Sequence, residues 1–455
     1  MCRKKRVEIF HPREVGYLFI TQRCARRAWL TGTDALTGKD FSYRREMIRA
    51  RMEALASVFA IDILNYAILS NHFHLVLRNR PDVVDRWQDV EIAERWLRIY
   101  PGKRIEEDLG TPERNAIDII LQDEARLVEL RSRLSDPSWF MKALSEPIAR
   151  RCNREDECTG HFWEGRFKAQ PLLDSSSIAA ACQYVDLNAI RAGLAPTIET
   201  SQHTSAYDHT RALQGVTIAS SALESPVLSR QEVAELRKTE AIESLKKIKK
   251  KHKKGSRKQV PADGWLAPVQ ERVRMTIRSA DGQISYVDPQ LSASGLRASD
   301  RGYLPMTLVE YLLLLEWAAQ QPGRNGQAKT LASVAPLIER LGLAPELWRE
   351  LVRNFGYYYR HAGKIGKPDS QRTQAGVDGK RFYHGQGLAK DIYGPVKARS
   401  ETSEIASSEP TAASPPSDTP PPEARLDVCL APKECVPREW VADSSDNSGN
   451  PDSTG

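Results

Sequence analysis

The stretch that decides how this chain folds is Ala67-Ile68-Leu69-Ser70-Asn71-His72-Phe73-His74-Leu75-Val76-Leu77-Arg78-Asn79-Arg80. From Phe73 on it is an apolar run with β-branched and aromatic members, closed by Asn79-Arg80-Pro81, and this predicts a buried strand. Side chains alternate along a strand, so Phe73, Leu75 and Leu77 share one face and His72, His74 and Val76 the other. Two imidazoles about 7 Å apart along one face of a strand can converge on a single metal ion. A His-x-His in an arbitrary sequence is more often two ordinary half-buried residues, so a partner elsewhere has to decide.

Val15 to Thr21 reads as a first strand, followed by the basic segment Gln22-Arg23-Cys24-Ala25-Arg26-Arg27. Ile48, Met52 and Leu55 fall at helical spacing within a helix from Phe41 to Val58. Phe59 to Ile68 forms a strand joined to the histidine strand by a tight turn at Leu69-Ser70-Asn71. Residues 81–137 are charged and mostly helical in pattern, broken at Tyr100-Pro101-Gly102, and read as an insertion without chemistry of its own. An amphipathic helix resumes from Trp139 to Cys152. Gly160-His161-Phe162-Trp163-Glu164-Gly165-Arg166-Phe167-Lys168 then mixes aromatics with cations ahead of a strand from Ala169 to Leu173.

Asp174 to Gly193 is the best-defined helix, capped by Asp174 or Ser175 and stopped by Gly193 and Pro196. Its core face is Ile178, Ala181, Cys182, Val185 and Ala189, which leaves Tyr184, Asn188 and Arg191 on another face. The elements together predict a compact α+β fold, an antiparallel sheet with helices on one face.

The 455 residues suit two or three domains. The chain lacks a secretion-signal core and any membrane-length apolar run, so a cytoplasmic protein with no membrane contact is expected. Seven cysteines, an odd number spread over the chain, argue against a disulfide framework. Cys152, Cys158 and His161 lack a fourth zinc ligand at standard spacing. From Ser400 onward eleven acidic residues face three basic ones, a net of −8; the whole chain carries +7, so the body is at +15. A basic body with an acidic tail points to a polyanionic partner. The sequence divides into residues 1–215, a helical and basic linker at 216–260, a small mostly helical domain at 261–395 and a disordered acidic tail at 396–455. The linker holds a helix from Gln231 to Lys254 and a block from Lys246 to Lys258 in which nine of thirteen residues are Lys or Arg. Helices are expected at Met306 to Gln320, Lys329 to Leu341 and Pro345 to Phe355.

Three blocks occur in order: Leu69 to Leu77, then Phe162-Trp163-Glu164-Gly165-Arg166-Phe167-Lys168, then Tyr184-Val185-Asp186-Leu187-Asn188-Ala189-Ile190-Arg191-Ala192-Gly193-Leu194. They resemble the signature blocks of the HUH-type single-tyrosine transposases, in particular the REP-associated tyrosine transposase branch, over roughly residues 10 to 210. The resemblance implies a ferredoxin-like domain in which His72 and His74 hold a divalent metal and Tyr184 attacks a phosphodiester of single-stranded DNA. Asn188 aligns with a polar amide that resembles a third metal ligand in relatives. The partner implied is single-stranded or hairpin DNA, and the family contains both monomers and homodimers. Ser70 stands where relatives commonly have Pro, Ala189 where Pro follows the amide, and Asp186 where His is frequent. Asp186 therefore leaves open whether a carboxylate joins the site.

The chemistry is consistent with that set. Phosphodiester cleavage needs an in-line nucleophile and a cation to neutralise charge growing on the phosphate. Imidazoles with an amide oxygen leave Mg²⁺ or Mn²⁺ open positions for phosphate and water. A phenol has a pKa near 10 and needs activation. Arg23, Arg166, Lys168 and Arg191 are candidates for phosphate contact, and Trp163 or Phe167 for stacking on unpaired bases. The rival reading is a nucleic-acid-binding regulator that keeps the fold without cutting.

Overall fold

The structure is a computed structural model that describes residues 9–11, 13–25, 30–33, 38–102, 104–219, 259–271, 276–278, 284–286, 291–320 and 334–393. The helix expected at 231–254, the basic block and the acidic tail lie outside the described residues.

A strand, a helix, two strands, a helix and a strand frame the first half: β1 (Gly16–Arg23), α1 (Tyr43–Ala56), β2 (Ile61–Ile68), β3 (His72–Asn79), α6 (Pro137–Glu155) and β4 (Lys168–Leu172). Between β3 and α6 run the insertion helices α2 (Pro81–Val84), α3 (Asp89–Ile99), α4 (Arg114–Leu121) and α5 (Glu124–Leu134), with the chain breaking after α3 where Pro101-Gly102 follow. Then come α7 (Ser175–Arg191) and α8 (Ser205–Leu213), the short pair β5 (Thr217–Ala219) and β6 (Gln259–Pro261), and the pair β7 (Thr276–Arg278) and β8 (Ile284–Tyr286). The last helices are α9 (Leu308–Ala319), α10 (Ala335–Arg340), α11 (Pro345–His361), α12 (Pro368–Val377) and α13 (Gln386–Tyr393). None of the helices among the described residues is long and apolar enough to cross a membrane.

The main sheet is antiparallel in the order β2-β3-β1-β4. One face carries Leu18, Ile20, Ile63, Tyr66, Phe73, Leu75 and Leu77, packed on Ile48, Met52 and Leu55 of α1 and Phe140 and Leu144 of α6. Trp96, Leu127 and Leu130 of the insertion belong to the same cluster. The opposite face carries Phe19, Leu64, Ala67 and Val76. It is not left open: α7 lies on it, joined by Leu304, Tyr311, Leu315, Trp348, Leu351, Phe355 and Tyr358 from the C-terminal part. The expectation of helices on one face is therefore corrected to helices on both. The physical reason is in the strands themselves, since β2 is buried at every position and β3 at all but His72, the pattern of a strand covered on both sides.

α7 ends as its sequence predicts. Asp174 accepts a hydrogen bond from the Ser177 amide at 2.9 Å, and Gly193, at φ 68°, takes the left-handed position after the last turn. The predicted core residues are buried, but so are Ala179, Ala180, Gln183, Asp186 and Leu187. A helix buried almost all round is one enclosed between layers.

Buried polar groups tie the C-terminal part to the sheet. Asp62 bridges Arg78 at 2.7 Å and Arg80 at 3.0 Å and accepts from the Ser299 amide at 3.1 Å, while Arg78 donates to the Gly302 carbonyl at 2.9 Å. Residues Met1–Lys397 form one compact unit, so the helices expected as a small domain share a core with the sheet.

Candidate metal and tyrosine site

Antiparallel register assembles the site on the face that carries α7. His74 pairs with Thr21 on β1 and with Ala67 on β2; His72 pairs with Arg23, and Lys168 on β4 pairs with Thr21. All of these project to the same face, because directly paired residues do so.

The two imidazoles converge. His72 Nε2 and His74 Nε2 are 3.1 Å apart, and the rings are nearly perpendicular with centroids 4.7 Å apart. Each Nδ1 has its own partner: Asn71 Oδ1 for His72, and Thr21 Oγ1, at 3.0 Å, for His74. An amide oxygen only accepts, so His72 carries its proton on Nδ1 and turns the Nε2 lone pair inward. The Thr21 hydroxyl can accept from or donate to His74 Nδ1; where it accepts, two Nε2 lone pairs face each other and suit a shared cation, and where it donates, the His74 Nε2–H bonds the His72 nitrogen. Adjacent nitrogen ligands at about 2.1 Å from an octahedral ion lie about 3 Å apart, so the observed separation fits. Phe19 stacks on the His74 ring at 5.3 Å.

Burial holds the site's imidazoles neutral. His72 is pushed down to about 4, by burial and then by the Arg23 guanidinium. His74 is held well below the usual imidazole range by burial, with His72 and Arg23 adding to it. Neutral imidazole is the form that ligates metal.

α7 delivers the tyrosine to this face. The Tyr184 ring meets the His74 ring edge-on at 5.7 Å and Phe19 at 6.0 Å. Phe355 at 5.3 Å and Tyr359 at 6.4 Å, both from α11, pack against the same ring. Burial, and then the neighbouring Tyr359, raise the phenol above its ordinary value. Asn188 donates its side-chain amide to the Tyr184 carbonyl at 2.8 Å, which keeps it on the same helix face without a hydrogen bond to either histidine. Among the described residues no group of three or more His, Cys, Asp or Glu could hold a metal; the Nε2 atoms of His72 and His74 are the nitrogens that converge here.

The remaining sequence candidates divide. Arg23 and Lys168 are exposed at the histidine end of the face, and Arg166 is exposed in the loop before β4. Arg191 lies over the Tyr184 ring at 5.9 Å and donates to the Val352 carbonyl at 3.3 Å. Trp163 is placed elsewhere: it packs edge-on against Phe73 at 5.7 Å and donates its indole N–H to the Ser145 carbonyl at 2.9 Å. Phe73 belongs to the face opposite the histidines, and Phe167 packs with the same cluster. Asp186 does not join the histidines. It is buried and accepts from Asn65 at 2.6 Å, Tyr311 at 2.6 Å, the Ala206 amide at 3.0 Å and the Ser205 hydroxyl.

Thr21, Asn71, Phe355, Gly356 and Tyr359 are parts of the site that the sequence reading did not single out. For Thr21 the signal existed, because period-two alternation of β1 puts it on one face with Arg23. Its register against His74 did not. Nothing local marks the α11 residues.

No family model matches the chain, and no curated protein matches it. Among solved structures, a REP-associated tyrosine transposase bound to a REP hairpin is similar, at 12% identity and a TM-score of 0.28, over 47% of this chain and 87% of that one. A likeness that slight supports neither fold nor chemistry.

Proposed function

We propose that this chain is a DNA-processing enzyme that cleaves and rejoins single-stranded DNA through Tyr184. The reading rests on the three sequence blocks, and the observation that carries it is the meeting of two of them. Tyr184 packs 5.7 Å from His74, whose Nε2 lies 3.1 Å from that of His72. The strand-helix-strand-strand-helix-strand order and the β2-β3-β1-β4 sheet support a ferredoxin-like, HUH-type assignment.

His72 and His74, with Asn188 Oδ1, would hold Mg²⁺ or Mn²⁺. A bound cation would neutralise charge on the scissile phosphate. The Tyr184 oxygen attacks phosphorus and gives up its proton; the P–O3′ bond breaks and the departing 3′ oxygen takes up a proton. The DNA is left joined to Tyr184 through its 5′ phosphate, and attack by a 3′ hydroxyl reverses the step, so the ester conserves the bond for rejoining. Arg23 and Lys168, exposed on the histidine side, would meet phosphates.

The test is cleavage of end-labelled single-stranded hairpin DNA. Wild-type protein with Mg²⁺ or Mn²⁺ should give a product that chelation and His72→Ala or His74→Ala abolish. Robust product from Tyr184→Phe would remove the tyrosine from the reaction. The second reading, a binder that does not cut, is favoured by one observation, the cover that α11 places over the tyrosine. Tight hairpin binding without product at any cation concentration would select it.

A further inference from the structure

α11 carries a glycine in its interior, Gly356, where glycine is a poor helix former and buys nothing unless space or backbone geometry demands it. Its backbone does not have positive φ, so space is the reason left. A Cβ built at Gly356 would stand 2.9 Å from the Tyr184 hydroxyl and 3.3 Å from two ring carbons. The flanking Phe355 and the nearby Tyr359 bracket the same ring, and Phe355 also meets Phe19 at 5.4 Å.

We propose that Gly356 is a positioning residue for the tyrosine reaction: its missing side chain is the notch that seats Tyr184 over His74, and α11 is a fixed wall of the site. This rests on the proposed cleavage by Tyr184. A fixed wall, and not a lid, follows from how α11 is rooted. Trp348, Leu351, Phe355 and Tyr358 are fully buried. Arg191 reaches the Val352 carbonyl at 3.3 Å, and Gln170 of β4 donates to the Tyr359 carbonyl at 2.9 Å. Just past the helix, Ile365 pairs with β4: its amide donates to the Pro171 carbonyl and its carbonyl accepts from the Leu173 amide, each at 2.8 Å. Lifting α11 would expose all of that apolar surface together. The site is thus built from both halves of the chain, with the histidines and tyrosine from the first and the seat from the second.

The substitution Gly356→Ala separates the possibilities by cleavage rate and by the tyrosine resonance. Alanine favours the helix, so a purely structural glycine predicts an unchanged or raised melting temperature with no effect on rate. A seat predicts a single-turnover cleavage rate at least tenfold lower, with hairpin affinity and Mn²⁺ affinity unchanged and the melting temperature not lowered. A ζ-¹³C tyrosine label should show the Tyr184 resonance, identified by its absence in Tyr184→Phe, shifted or doubled in Gly356→Ala. Phe355→Leu, which keeps the site apolar but removes the bracketing ring, should move rate and resonance in the same direction by less. An unchanged rate or an unmoved resonance overturns the seat, and a raised rate would make α11 a movable lid instead. If wild type cuts no DNA while the resonance still moves, the cleavage reading falls and the seating of Tyr184 stands.

Discussion

Thr21 and Asn71 show how much of the site depends on single atoms behind the two histidines. Each meets an imidazole Nδ1 and so directs the paired Nε2 atoms toward each other. Outer partners of this kind typically change metal affinity 10–100-fold. Thr21→Val, which keeps the shape and loses the oxygen, should therefore weaken Mn²⁺ binding by roughly tenfold or more, read by electron paramagnetic resonance titration, while Thr21→Ser restores it. Equal affinity in all three proteins would remove Thr21 from the site.

The same imidazoles make stability depend on pH. In the folded chain His72 is down at about 4 and His74 lies well below its usual range, whereas the unfolded chain returns both to about 6.5. The unfolded chain then binds protons that the folded one does not. The contribution is fully present above about pH 6.5 and is lost as pH falls toward 4. The His72 shift alone corresponds to about 3 kcal/mol at pH 4. Unfolding free energy from urea melts should fall between pH 7.5 and 4.5, and His72→Gln should shrink that fall; an identical fall in that variant would contradict the assignment.

At the scale of elements, α7 is the hinge of the account, and its sequence was readable in part. The Asp174 cap, the Gly193 stop and the core positions could be placed from spacing alone. Its burial on the remaining sides could not, although Ala179-Ala180-Ala181 permits close approach from more than one direction. Asp186 illustrates the gap: by position it was a candidate for the site, and its partners Asn65, Ser205 and Tyr311 come from β2, α8 and α9. Removing it would strand several buried donors at about 1–3 kcal/mol each. Asp186→Ala should therefore lower unfolding free energy by roughly 3 kcal/mol or more in chemical denaturation. A loss of cleavage with stability intact would put the carboxylate back into the chemistry. Trp163 teaches the converse lesson, since an aromatic among cations reads as a stacking platform until register puts it on the other face.

For the whole molecule, the feature hardest to see was the second covered face. The mostly apolar strands Phe59 to Ile68 and Phe73 to Leu77 carried the signal, but which later segment supplies the cover depends on pairings across more than two hundred residues, such as Asp62 with Ser299 and Arg78 with Gly302. α12 and α13 were not anticipated either; α12 carries few apolar side chains and α13 is only eight residues long. A protein ending at residue 219 would expose Phe19, Val76 and the outer side of α7, and leave Asp62 and Arg78 without their C-terminal partners. Such a truncation should aggregate or lose a cooperative melt by light scattering and calorimetry. A monomer that melts cooperatively would show the C-terminal part to be dispensable to the fold.

Mass spectrometry of the Tyr184 peptide after incubation with hairpin single-stranded DNA and Mn²⁺ decides whether Tyr184 becomes covalently joined to DNA. The account predicts a nucleotide adduct on Tyr184 that requires the cation and is absent in Tyr184→Phe. DNA cleaved with no adduct on that peptide, or an adduct on another residue, would contradict it.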